Sequence, residues 1–211
     1  MRIDIFTDLI CPWCWLGKRR FEAALAARPG LVTEVHWLPF ELNPDMPEGG
    51  LPREDYLAAK LGGVEALREA QARLVEVAVA DGLQFRFDLA RISPNTRAAH
   101  ALARIAAEQG LQSAVQEALF EAYFAAGRDI GDRATLVDIG AAVGLEAPPL
   151  EARLAARSDW PAIESLEREA QGMGITGVPF FVFERRWAVS GAQPVAAFLQ
   201  VLDDLAARAG G

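Results

Sequence analysis

Lysine, histidine and cysteine are all scarce in this chain of 211 residues, which has two of each. Lys18 and Lys60 are its only lysines, so arginine supplies nearly all of the positive charge. With 21 basic against 29 acidic residues the net charge is −8. Nucleic acid is therefore excluded as the main partner, because phosphate binding needs a basic surface. No run approaches the roughly 18 apolar residues of a membrane span. Two cysteines cannot supply both ligand pairs of a closed zinc site, and His36 and His100 show no paired spacing. An apolar fraction of 52% argues against disorder, and no repeat or low-complexity tract appears. No charged n-region with an apolar h-region precedes the first strand, so the cytoplasm is the expected location.

The periodicities that are present define an order of elements. Residues 2–6 alternate as a strand, and Thr7 and Asp8 are turn and cap residues. A helical pattern then runs from about Cys11 to Ala27, ended by Pro29-Gly30. A second strand follows, to about Phe40. Residues 43–52 are a loop dense in Pro and Gly, after which almost everything from Arg53 to Gln171 is helical in period, with a bend expected at Gly62-Gly63. Separate helices are expected over about 112–126, 133–143, 149–157 and 159–171. GVPFFVF is a β-rich run with which RRWAVSG can pair as a hairpin, and PVAAFLQVLDDLAARAG is a closing helix with Pro194 near its start. The order β-α-β, helical block, β-β-α reads as an α/β domain of residues 1–45 and 172–211, interrupted by an all-helical insertion at 46–171.

Cys11 and Cys14 flank Pro12 and Trp13 at the first strand–helix junction. The first turn of a helix has free N–H groups and the positive end of the dipole, which favours a thiolate. In C-x-x-C pairs thiol pKa values fall from about 8.5 into the range of about 3.5–7.5. In a reducing compartment such a pair is catalytic or metal-binding rather than a structural disulfide. Cys11, nearer the helix end, is the expected nucleophile and the more exposed thiol. Cys14, one turn in, is the expected resolving thiol. Pro12 suits a helix start, where its missing N–H costs nothing. Trp13 is expected to border the site and Trp15 to pack inside. Lys18, beside Arg19 and Arg20, is expected on a solvated helix face. His36 and His100 are expected to be structural, His100 being the one placed to face a cleft.

C-P-W-C after an opening strand, the helical block and a late T-G-V-P-F-F-V-F resemble the DsbA-like branch of the thioredoxin superfamily. Within it, DLICPWCWLGKRRFE, WLPFELNP, SPNTRAAHALARIA and GITGVPFFVF are most similar to the FrnE-like dithiol–disulfide oxidoreductases. The resemblance implies a thioredoxin-like fold without resident cofactor or metal, the helical insertion capping the site. It implies thiol–disulfide exchange or isomerisation on disulfide-containing proteins or small thiols, with glutathione a candidate redox partner or cosubstrate. It also implies that Pro179 is a cis-proline facing Cys11 and Cys14, and that the Val178 backbone pairs with an extended peptide. Pro12, Trp13, Val178 and Pro179 would then bound the substrate groove. The dipeptide is Pro-Trp rather than the Pro-His of DsbA itself, so the strong-oxidant role of exported members is not carried over. Glutathione-dependent isomerases and kappa-class transferases share this architecture but typically carry serine where this chain has Cys11. A peptide-binding or chaperone-like module and a zinc-bridged assembly are the remaining alternatives. The apolar composition also permits a homodimer.

Overall fold

In the computed structural model, which describes residues 1–209, strand β1 (Arg2–Thr7) is an inner strand of a four-stranded sheet. Strand β2 (Glu34–Pro39) runs parallel to it on one side, joined by the crossover helix α1 (Pro12–Ala26). On the other side lie β5 (Phe180–Phe183) and then β6 (Trp187–Ser190), each antiparallel to its neighbour, before helix α9 (Val195–Ala209). The sheet and its helices follow the β-α-β and β-β-α order of a thioredoxin-like fold.

The inner strands are buried on both faces. Ile3, Ile5, Phe181 and Phe183 pack with Phe21 and Ala24 of α1 and with Phe198 and Leu202 of α9. On the other face Phe6 packs with Ala170 and Ile175. That two-sided burial explains why FFVF is an apolar run bounded by turn residues.

Between β2 and β5 the chain is mostly helical. A short ribbon pairs β3 (Leu51–Pro52) with β4 (Ile92–Ser93), and helices α2 (Arg53–Leu61) and α3 (Val64–Val79) lie between its strands. Then come α4 (Arg97–Ala107), α5 (Gln112–Phe120), α6 (Arg133–Ala142), α7 (Ala147–Ala156) and α8 (Trp160–Gly172). The bend expected at Gly62-Gly63 is a full break, since both glycines hold positive φ, at 91° and 130°. The segment expected as one helix over 112–126 ends in a π turn, Glu121–Ala125. The β3–β4 ribbon went unread because two residues are too few to show alternation. Among the described residues no helix is long and apolar enough to cross a membrane.

Helix α1 is the wall shared by two cores. Its later residues Phe21 and Ala24 face the sheet, whereas Cys14, Trp15 and Leu16 belong to the core of the helical block. Trp15 lies nearly parallel to Phe120 and Phe124 and edge-on to Phe85. The cysteines therefore sit where the sheet meets the helices.

Candidate active site

Cys11 is the N-cap of α1, with extended backbone and no side-chain capping bond, and Pro12 occupies the first helical position. Its N–H donates to the Asp8 carbonyl at 3.0 Å, and the Cys14 N–H donates to the Cys11 carbonyl at 3.0 Å. The Cys11 Sγ thus sits at the N-terminal end of α1, whose first turn carries no acidic residue. Both cysteines are free thiols. Cys11 retains 5% exposure and Cys14 none, so the expected gradient is present although both are buried.

Burial pushes the Cys14 thiol well above its ordinary range, and the neighbouring Cys11 sulfur adds to that, against smaller opposing contributions from the Thr7 hydroxyl and the Asp8 backbone. Cys14 is therefore held protonated while it waits behind Cys11.

The late loop closes over the pair. The Cys11 Sγ lies 3.6 Å from the Val178 carbonyl oxygen, across 167 residues of sequence. The Val178–Pro179 peptide bond is cis. Gly17, one turn beyond Cys14, lets this loop approach: a Cβ there would stand 2.9 Å from the Pro179 ring and 3.5 Å from Phe181. Trp13 is 43% exposed on the rim, and Trp15 is packed inside.

Behind the cysteines lies a buried polar layer. The Asp8 carboxylate accepts the Leu42 N–H at 2.7 Å and faces His100 Nε2 at 3.6 Å. His100 is buried and turned to Asp8; it does not line the cavity that opens at Cys11. His36 is half exposed on β2 beside Glu34. Lys18 departs from expectation: it is buried rather than solvated, and bonds Glu22 and Glu117, each at 2.8 Å. Its partner Glu117 comes from α5, which sequence spacing along α1 could not reveal. Burial acts to raise the Glu117 carboxyl, but Lys18, the Trp15 indole and Arg19 outweigh it and hold the group below its usual range.

Glu41 shows the opposite balance. Its side chain is 1% exposed, and burial raises its pKa from 4.5 to about 7 despite Arg97 at 2.7 Å. Glu167 adds repulsion, while His100 acts with Arg97 in the other direction. Between about 4.5 and about 7 the folded protein holds a proton that the unfolded chain has released. Stability contributed by this group is complete below the lower value and is lost as pH rises through the upper one. Thermal melts at a series of pH values should show that slope, and Glu41→Gln should flatten it and raise the melting temperature above pH 7. An unchanged slope would remove Glu41 as its source.

A cavity of about 280 Å3 opens at Cys11, Pro12 and Trp13 and extends between α2 and α3. Two of its liners, Arg53 and Tyr123, escaped the sequence reading, because local periodicity marks them only as a helix start and a buried aromatic. Pro12 and Trp13 border this cavity, and Val178 and Pro179 lie on the loop over the Cys11 sulfur.

A family model described as DSBA-like thioredoxin domain matches residues 2–203. Among curated proteins, YwbO of Bacillus subtilis, described as uncharacterized, is 27% identical over 192 residues, 86% of each chain. Among solved structures, a probable DsbA oxidoreductase from Streptomyces coelicolor is 38% identical with a TM-score of 0.88, over 97% of this chain and 89% of that one. The cytosolic disulfide reductase DsbM from Pseudomonas aeruginosa, solved with GSH, has a TM-score of 0.70 at 22% identity, over 97% and 98% of the two chains. At that identity the likeness speaks for the fold alone.

Proposed function

Since the chain belongs to the DSBA-like thioredoxin domain family, we propose that it exchanges thiols and disulfides through Cys11 and Cys14. The observation that carries this reading is the pair itself: a thiol at the N-cap of α1 beneath the Val178 carbonyl, and behind it a buried thiol held protonated. The Cys11 thiolate attacks one sulfur of a substrate disulfide, forming a mixed disulfide and releasing the other sulfur as a thiolate that takes up a proton. Cys14 then gives up its proton and attacks the Cys11 sulfur. The Cys11–Cys14 disulfide forms, the second substrate thiol leaves, and the protein dithiol has been oxidised by two electrons. The reverse sequence delivers a disulfide to a dithiol.

The finer likeness to FrnE-like enzymes, an isomerase role and a cytoplasmic location belong to the same proposal, as does glutathione as the thiol that resets the pair. Trp13 and the backbone of Val178 are the substrate contacts in this scheme. The presence of a sulfur at position 11 favours it over glutathione activation by a serine enzyme, which needs no second cysteine.

Cys14→Ser is the direct test. It removes the resolving thiol and keeps the attacking one, so incubation with a disulfide-bonded protein should accumulate a covalent adduct on Cys11. Non-reducing electrophoresis and mass analysis would show it. Free turnover without adduct would reject the division of roles.

A further inference from the structure

The cavity at Cys11 has a composition that the exchange reaction alone does not require. Its walls are mainly apolar, with Leu57, Leu67, Leu74 and Phe87 prominent, and among the described residues no carboxylate lines it. Among the described residues its only charged liners are Arg53 and Lys60, in a chain whose net charge is −8. Arg53 is 7% exposed, its guanidinium lies 5.0 Å from the centre of the Phe87 ring, and its Nε donates to nothing among the described residues. Beside it burial pushes the Tyr123 phenol up, with Arg53 pulling the other way. Lys60, at the exposed mouth, bonds only the neutral Asn43 amide among the described residues. A buried cation without an anion is costly, and a bound anion relieves that cost.

We propose that this cavity is a specificity pocket for one half of a small organic disulfide, a half that is apolar, most simply aromatic, and carries a carboxylate. The volume of about 280 Å3 lies just below the range of small-ligand cavities, which run from about 300 Å3, and suits one substituted ring rather than a folded peptide segment. Arg53 receives the carboxylate, the leucines and Phe87 enclose the ring, and the disulfide sulfur is left at the Cys11 Sγ. This inference rests on the exchange reading above and adds the substrate class to it. The chemistry balances: the disulfide and the protein dithiol give two small thiols and the Cys11–Cys14 disulfide.

The experiment compares two aromatic disulfides on the reduced protein by stopped flow. One is 5,5′-dithiobis(2-nitrobenzoate), which carries carboxylates, and the other is uncharged 4,4′-dithiodipyridine. In Arg53→Gln the ratio of the first rate constant to the second should fall by about ten-fold or more, the worth of one lost charge-assisted contact. Lys60→Gln, an exposed change, should lower the same ratio by a smaller factor. Because Arg53 is buried, the wild-type protein supplies a second measurement. Naphthalene-2-carboxylate should slow alkylation of Cys11 by iodoacetamide, and naphthalene-2-carboxamide should do so far less. Unchanged ratios together with equal protection by the two compounds would overturn the pocket. If wild-type Cys11 reacted with neither disulfide, the exchange reading itself would fall instead.

Discussion

Cys11→Ser should abolish disulfide exchange, lowering the rate by more than about a thousand-fold, while the protein stays folded. Oxygen in place of sulfur cannot form the mixed disulfide, and a hydroxyl supplies far less nucleophile than a thiol. The expected effect on stability has the opposite sign. Cys11 caps α1 without a side-chain hydrogen bond, and serine is among the preferred capping residues, worth about 0.5–2 kcal/mol over a residue that cannot cap. The variant should therefore melt no lower than wild type and reduce insulin disulfides not at all. Undiminished reduction by this variant would sink the mechanism. Lost reduction with a collapsed melting temperature would mean that Cys11 matters to the fold rather than to the chemistry.

Phe181→Ala should be the most destabilising of the simple truncations, at about 3–5 kcal/mol. The ring is fully buried and meets Phe198 at 4.7 Å and Phe21 at 5.3 Å between centroids. It lies on β5 with Ile5 of β1 and Val189 of β6 as strand partners. Removing it opens a void between the sheet, α1 and α9 that these rigid neighbours cannot fill. Native domains hold only about 5–15 kcal/mol, so the loss should lower the melting temperature by roughly 10 °C. Trp13→Ala is the contrasting case, because 43% of that residue is already exposed, and its stability should move by no more than about 0.5 kcal/mol. Similar melting temperatures for the two variants would refute the described packing.

Much of the architecture was legible because it is written in local periods. The alternation of RIDIF, the helix start at Cys11 and Pro12, and the apolar run FFVF each report a nearby backbone state. The proximity of Cys11 and Cys14 follows from three residues of separation on one helical turn. Lys18 was misread because its neighbours in sequence, Arg19 and Arg20, suggest a solvated face, whereas its partner Glu117 lies 99 residues away. The same applies to Arg53 and Tyr123, which line one cavity with Cys11, Pro12 and Trp13 although they come from distant parts of the chain.

By itself the sequence determined a pair of thiols at a strand–helix junction and the order of strands and helices around it. Those features depend on residues within one or two turns of each other, whose sterics and hydrogen bonding are settled locally. Only the tertiary structure decided what the pair faces: the Val178 carbonyl over Cys11, the burial that keeps Cys14 protonated, and an apolar cavity lined by Arg53, whose Nε has no hydrogen-bond partner among the described residues. Each of these depends on desolvation or on a contact between distant segments, and neither leaves a period in the chain.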